Sequence, residues 1–152
     1  MRVLHSTLHF DRIYDATPAR LFDAFESVEA RSRWGVPGDQ RLTYEAADFR
    51  VGGVDVCRCG DPGVLDHRVE TRYLDIVPGV RIVSSEIAEH LDRRLGCSLN
   101  TAVISPAPGG ARLQLTIQIA AFDPEVTKGY EHGWTACLDL LADELRYSKE
   151  HP

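Results

Sequence analysis

No stretch of this 152-residue chain stays apolar over anything near the roughly 20 residues that cross a bilayer. That excludes a membrane-spanning helix. The first dozen residues also lack a continuous apolar run, being broken by His5, His9 and Asp11, so no secretory signal is expected. Positive charge is not in excess either. Lys and Arg number 17 against 23 Asp and Glu, a formal net charge of −6. That balance argues against nucleic-acid and anionic-membrane partners, which both need basic surface. Cysteine is sparse, with four residues at 57, 59, 97 and 137. Cys57 and Cys59 lack the C-x2-C spacing of a zinc knuckle and would share one strand face, so reduced thiols are expected. There is no G-x-S-x-G elbow, P-loop, H-E-x-x-H or G-x-G-x-x-G. The expectation is a soluble cytoplasmic protein with no cofactor and no bound metal.

What is present describes an ordinary globule. Hydrophobic residues make up 43% and charged ones 26%, and the length suits one domain over 1–152. The strongest pattern is C-terminal. Asp123 is a side-chain cap, Pro124 suits a first helical position, and Val126, Tyr130, Trp134, Cys137, Leu138, Leu141 and Leu145 form a stripe of period 3.6. The spacing predicts a helix from Asp123 to Tyr147, roughly 33 Å long. Gly129 and Gly133 lie inside it, each costing about 1 kcal/mol relative to Ala. They are either tolerated or leave space beneath the helix.

Val3 to Tyr14 reads as a strand with apolar residues on both faces, so its register stays open. His5 and His9 stand roughly 13 Å apart along it, too far to share an ion. Thr17-Pro18 opens a short helix bearing Leu21, Phe22 and Phe25, and Ser27 opens a second, Val28 to Trp34. Strands then follow at Leu42–Ala47, Phe49–Cys59 (with Gly52-Gly53 as a bulge or sharp bend), Val69–Val77, Val80–His90, Cys97–Ile104 and Ala111–Ala121. Asp92 to Gly96 reads as a charged loop. The last strand alternates most clearly, with Leu113, Leu115, Ile117 and Ile119 on one face. Short turns imply antiparallel pairing, hence an α+β architecture: a curved antiparallel sheet around a long C-terminal helix, with two short helices after the first strand.

That order is the helix-grip order, and local sequence sharpens it. "FDRIYDATP" at 10–18, the Arg33-Trp34 step, "DFRVGG" at 48–53, "LDIVPGVRIV" at 74–83, and Glu131 to Trp134 followed by Leu138, Leu141 and Leu145 all match one family. The chain resembles the START-like (SRPBCC) superfamily. Within it, the nearest branch joins the calicheamicin-resistance protein and the C-terminal domain of the heat-shock-protein ATPase activator. The resemblance implies a cavity between sheet and helix, and members that bind or transform small apolar, aromatic or polyketide-like molecules or dock on partner proteins. Related sequences often carry a Glu in the last strand where this chain has Ile117, so a role needing that carboxylate is not expected.

Candidate ligand-binding residues follow. Tyr130 and Trp134 are core packers or flat cavity walls. Trp34 either lines the cavity mouth or plugs it. Ser84 and Glu86 share a strand face with Ile82, Ala88 and His90. The family's register turns that face inward, where Glu86 would have a raised pKa and could serve as general acid or base. The opposite assignment buries Val83 and Ile87 instead. Ser84 and His90 lie roughly 20 Å apart and cannot form a nucleophile–base pair. Tyr73, Thr101, Cys137 and Leu138 complete the set. The leading expectation is a binding protein for a small hydrophobic molecule. A cyclase- or hydrolase-type enzyme using Glu86 comes second. A chaperone-linked module comes third, since the N-terminal domain such activators carry has no counterpart here. The open edges of an antiparallel sheet make a homodimer a further expectation.

Overall fold

The computed structural model describes residues 2–150, the Ser148 side chain excepted, so Met1, His151 and Pro152 lie outside the described residues. The elements are β1 (Leu4–Tyr14), α1 (Pro18–Glu26), α2 (Val28–Trp34), β2 (Arg41–Ala46), β3 (Val54–Asp61), β4 (Val64–Val77), β5 (Arg81–His90), β6 (Arg93–Ala107), β7 (Gly110–Ala121) and α3 (Pro124–Glu150). The strands form one antiparallel sheet ordered β1-β7-β6-β5-β4-β3-β2. β1 and β2 are therefore opposite edges, and α1 and α2 carry the chain from one to the other. This is the expected α+β helix-grip architecture.

The caps act as their residue types dictate. Thr17 Oγ1 accepts from Arg20 N (3.2 Å), Ser27 Oγ from Ala30 N (3.1 Å) and Asp123 Oδ1 from Glu125 N (2.9 Å). The alternating row of β7 supplies the core: Leu113, Leu115, Ile117 and Ile119 are all buried, facing Leu138, Leu141 and Leu145 of α3. Each such side chain contributes about 1.5–3 kcal/mol. β1 takes its register from β7, with Leu8 opposite Ile117 and Phe10 opposite Leu115, which leaves His5, His9 and Ile13 on the exposed face.

Several boundaries differ from the sequence reading. Phe49 to Gly53 is not part of β3. Arg50 N and Gly53 N close a turn onto Asp48 O and Arg50 O, and Gly52 has φ +82. A Cβ on Gly53 would lie 2.1 Å from Asp48 O, so the glycine pair serves a tight turn rather than a bulge. Gly52 N still donates to Tyr73 O (2.8 Å), which ties the turn to β4. β4 begins earlier, at Val64. The charged segment from Arg93 is not a loop but the start of β6, because Gly96 and Cys97 pair with Ala121 and Ala120 and extend the ladder. β6 also continues through Pro106, which sits beyond the last β5 pair, Arg81–Val103, where a missing N–H costs nothing. α3 runs about one turn past Tyr147. Among the described residues no helix is long and apolar enough to cross a membrane.

Candidate functional site

The sheet's curvature leaves a cavity of about 760 Å³ between the inner face of β2–β6, the α2 end and the N-terminal half of α3. It reaches the surface beside Pro37, Arg93 and Glu125. Gly129 and Gly133 line it, and a Cβ on either would meet nothing within 4 Å. The two helix glycines therefore border open space.

Seven of the residues singled out from sequence line this cavity: Trp34, Tyr73, Ser84, Glu86, Tyr130, Trp134 and Cys137. Trp34 lines the cavity at the α2 end. It is buried edge-on against Phe25, and its indole N–H donates to Ala24 O (2.9 Å). Two residues lie elsewhere. Thr101 pairs with Val83 and Thr116 on the outer face, while its neighbours Asn100 and Ala102 point in. A one-residue shift of register flips the face. Leu138 is fully buried in solid packing, and its carbonyl accepts a hydrogen bond from Tyr14 Oη (2.9 Å).

Glu86 points inward with Ile82, Ser84 and Ala88, and Ile87 is the exposed neighbour. Burial pushes its carboxyl up to about 7, against a hydrogen bond from Asn100 that works the other way. Around it stand polar atoms short of partners. Asn100 Oδ1 is buried without a hydrogen bond, and the Ser98 and Tyr130 hydroxyls are buried with no partner beyond each other. The Tyr130 phenol is pushed up, by burial first and the Glu86 charge second, with Ser98 pulling the other way. Burial, with Cys59 and Glu86 adding to it, raises the thiols of Cys57 and Cys137 to about 12. These cysteines are protonated wall atoms, not nucleophiles.

A second polar group at the α2 end escaped the sequence reading. Arg31 and Asp55, both buried, form an ion pair of 3.0 Å. Arg31 also donates to Tyr44 Oη (3.1 Å) and to the carbonyls of Phe25 and Glu26. Asp55 accepts from Tyr73 Oη (2.5 Å) and from Asp48 N (2.7 Å). Every strong group here is satisfied, so the network is a brace joining α1, α2, β3, β4 and the 48–53 turn. Asp55 shares the inward parity of Cys57 and Cys59, and Arg31 lies one turn before Trp34 on α2; those were the available signals. Asn100 was also missed. The short turn after β6 pairs Ala107 with Gly110, and counting back from Ile117 puts Asn100 inside.

Among the described residues, one group brings three metal-ligand atoms within 4.8 Å of one another: Asp66, His67 and His90. The Asp66 carboxylate already spans the two imidazoles, at 3.4 Å from His67 Nδ1 and 3.1 Å from His90 Nε2, and the rings lie 4.5 Å apart.

Residues 15–146 match the model of the family described as "Activator of Hsp90 ATPase homolog 1-like protein". Among solved structures, the chain is similar to the Mll3558 protein of Rhizobium loti (37% identity, 95% of this chain and 99% of that one, TM-score 0.84). It is similar to an uncharacterized protein of Rhizobium leguminosarum (30%, 96% and 97%, TM-score 0.82). It also shares the fold of the AHSA1 (SPO3351) protein of Silicibacter pomeroyi (23%, 94% and 99%, TM-score 0.76). No curated protein matches this sequence.

Proposed function

The chain belongs to the Activator of Hsp90 ATPase homolog 1-like family, and from that premise we propose that it binds a small, mainly apolar molecule in the cavity under α3. One observation carries this reading: the space of about 760 Å³ is walled by Trp34, Phe49, Tyr73, Tyr130 and Trp134, which a packed core would have closed upon. Aromatic rings and a few convergent polar groups suit a ring-bearing lipid, aromatic acid or polyketide-like ligand. A thermal-shift screen of those classes tests it. A ligand at 100 times its Kd adds about 2.7 kcal/mol, or roughly 5–10 °C in Tm for a chain of this length. A screen without a hit, or a hit whose affinity is unchanged after Gly133→Trp narrows the cavity, counts against it.

A second reading is acid–base catalysis on a bound molecule, favoured by a carboxyl poised near neutrality inside the cavity. Glu86→Gln abolishes turnover if this is so; an activity that survives the change removes it. The family's description carries a third, action on an Hsp90-type ATPase. A pull-down with such a chaperone and its ATPase rate decide that one.

A further inference from the structure

Among the described Asp, Glu and Arg side chains that line the cavity, all but one are paired. Arg31 is held by Asp55, Arg93 by Asp123 and Glu125 by Lys128, and two imidazoles, His67 and His132, also line the space, His67 beside Asp66. Among the described residues no cation pairs with Glu86. The groups that face it from each packed element are Thr71 of β4, Cys57 and Cys59 of β3, Asn100 and Ser98 of β6, and Tyr130 and Cys137 of α3. Burial raises every titratable one of these, so all stay neutral near neutrality and none supplies a positive charge. An ionised carboxylate left so deep without a counter-charge is costly.

The hydrogen-bonding inventory points the same way. Asn100 Oδ1 can only accept, and it accepts nothing. An ionised Glu86 is also acceptor-only. The hydroxyls of Tyr130 and Ser98 stand together and can turn to either role. The fixed features of the floor are therefore one acidic group without a counter-ion and one carbonyl oxygen without a donor. A carboxylate-bearing guest would meet like charge there and offer that oxygen nothing. A guest with an ammonium group would answer both.

Resting on the binding reading above, we propose that the cavity selects amphiphiles whose apolar body lies against Trp134 and Tyr130 and whose protonated amine reaches Glu86 and Asn100 Oδ1. The amine supplies the missing counter-ion and donates to the orphaned acceptor, which is where discrimination between head groups arises.

Three probes with one body separate the possibilities: 2-(1-naphthyl)ethylamine, 2-(1-naphthyl)ethanol and 1-naphthylacetic acid, titrated calorimetrically into the whole chain. At pH 8 the amine is expected to bind at least tenfold more tightly than the alcohol, and the acid most weakly. At pH 5.5, where Glu86 holds its proton, the preference for amine over alcohol shrinks severalfold. At pH 6.5 amine binding releases a fraction of a proton, seen as a dependence of heat on buffer ionisation, and alcohol binding releases none. Glu86→Gln brings amine and alcohol within threefold of each other. Equal binding of all three, tighter binding of the acid, or an amine preference that survives Glu86→Gln overturns the inference while leaving the binding site standing. Binding by none of the three overturns the inference, and with a blank ligand screen it overturns the binding reading as well. The wild-type pH and proton-release measurements stand without the variant.

Discussion

The two halves of α3 cover the same sheet in opposite ways. From residue 137 onward, Leu138, Leu141 and Leu145 press onto β7 with no exposed surface to speak of. Before it, Gly129 and Gly133 remove side chains, and Tyr130 and Trp134 stand over open space. The strands beneath differ to match. β7 offers an unbroken aliphatic row, while the inner faces of β5 and β6 offer Ser84, Glu86, Ser98 and Asn100. One half holds the fold together. The other forgoes apolar contact and shelters polar atoms that a core would exclude.

That contrast can be broken at several points. The largest loss is expected from Asp55→Ala, which strands the Arg31 charge and should cost about 3–5 kcal/mol in chemical denaturation. Leu141→Ala on the packed half should cost about 2–5 kcal/mol by the same measurement. On the hollow half the sign reverses. The Glu86 carboxyl stands at about 7 in the folded chain against 4.5 otherwise. Between those values the folded protein holds a proton that the unfolded chain has released. Stability should therefore fall as pH rises from 4.5 to about 7 and stay low above it. Glu86→Gln should flatten that slope and gain about 3 kcal/mol at pH 8, with little difference at pH 4. A steep slope persisting in the variant would place its origin elsewhere. The smallest effect belongs to Gly133→Ala, expected to stabilise by about 0.5–1 kcal/mol, since the new methyl meets nothing and the helix gains propensity. A loss there would mean the space is not open.

Much of this was legible because local signals agreed. Thr17-Pro18, Ser27 and Asp123-Pro124 marked helix starts by side-chain chemistry, and the β7 alternation fixed which face is buried. The rest needed pairing partners. Thr101 was placed on the wrong face because β6 carries apolar residues on both faces, with Leu99 and Val103 of Thr101's own parity exposed; the ladder to Ile117 sets the inward face. Glu86 had two defensible faces for the same reason. Gly52-Gly53 looked like a bulge or bend within a strand because a turn of that length depends on Tyr73, some 20 residues on, to receive and return its hydrogen bonds. The Arg31–Asp55 brace joins residues 24 apart, a coupling no local pattern encodes.

The side-chain and carbonyl ties that bind α3 to other elements fall almost entirely at one end. Tyr14 bonds Leu138 O, Arg12 meets Asp139, Arg33 grips Glu144 with two hydrogen bonds, and Lys149 reaches Asp15. Toward the start of the helix, among the described residues, the ties are the exposed Arg93–Asp123 pair and the contact of Tyr130 with Ser98. Mechanically this is a cantilever, clamped past its midpoint, with a more lightly held tip over the hollow, where Val126, Tyr130 and Trp134 make only part-buried contact with the core. In such a beam displacement is greatest at the tip, so the residues around 126–134 are expected to move more readily than the clamped end, which hydrogen exchange along the helix would read.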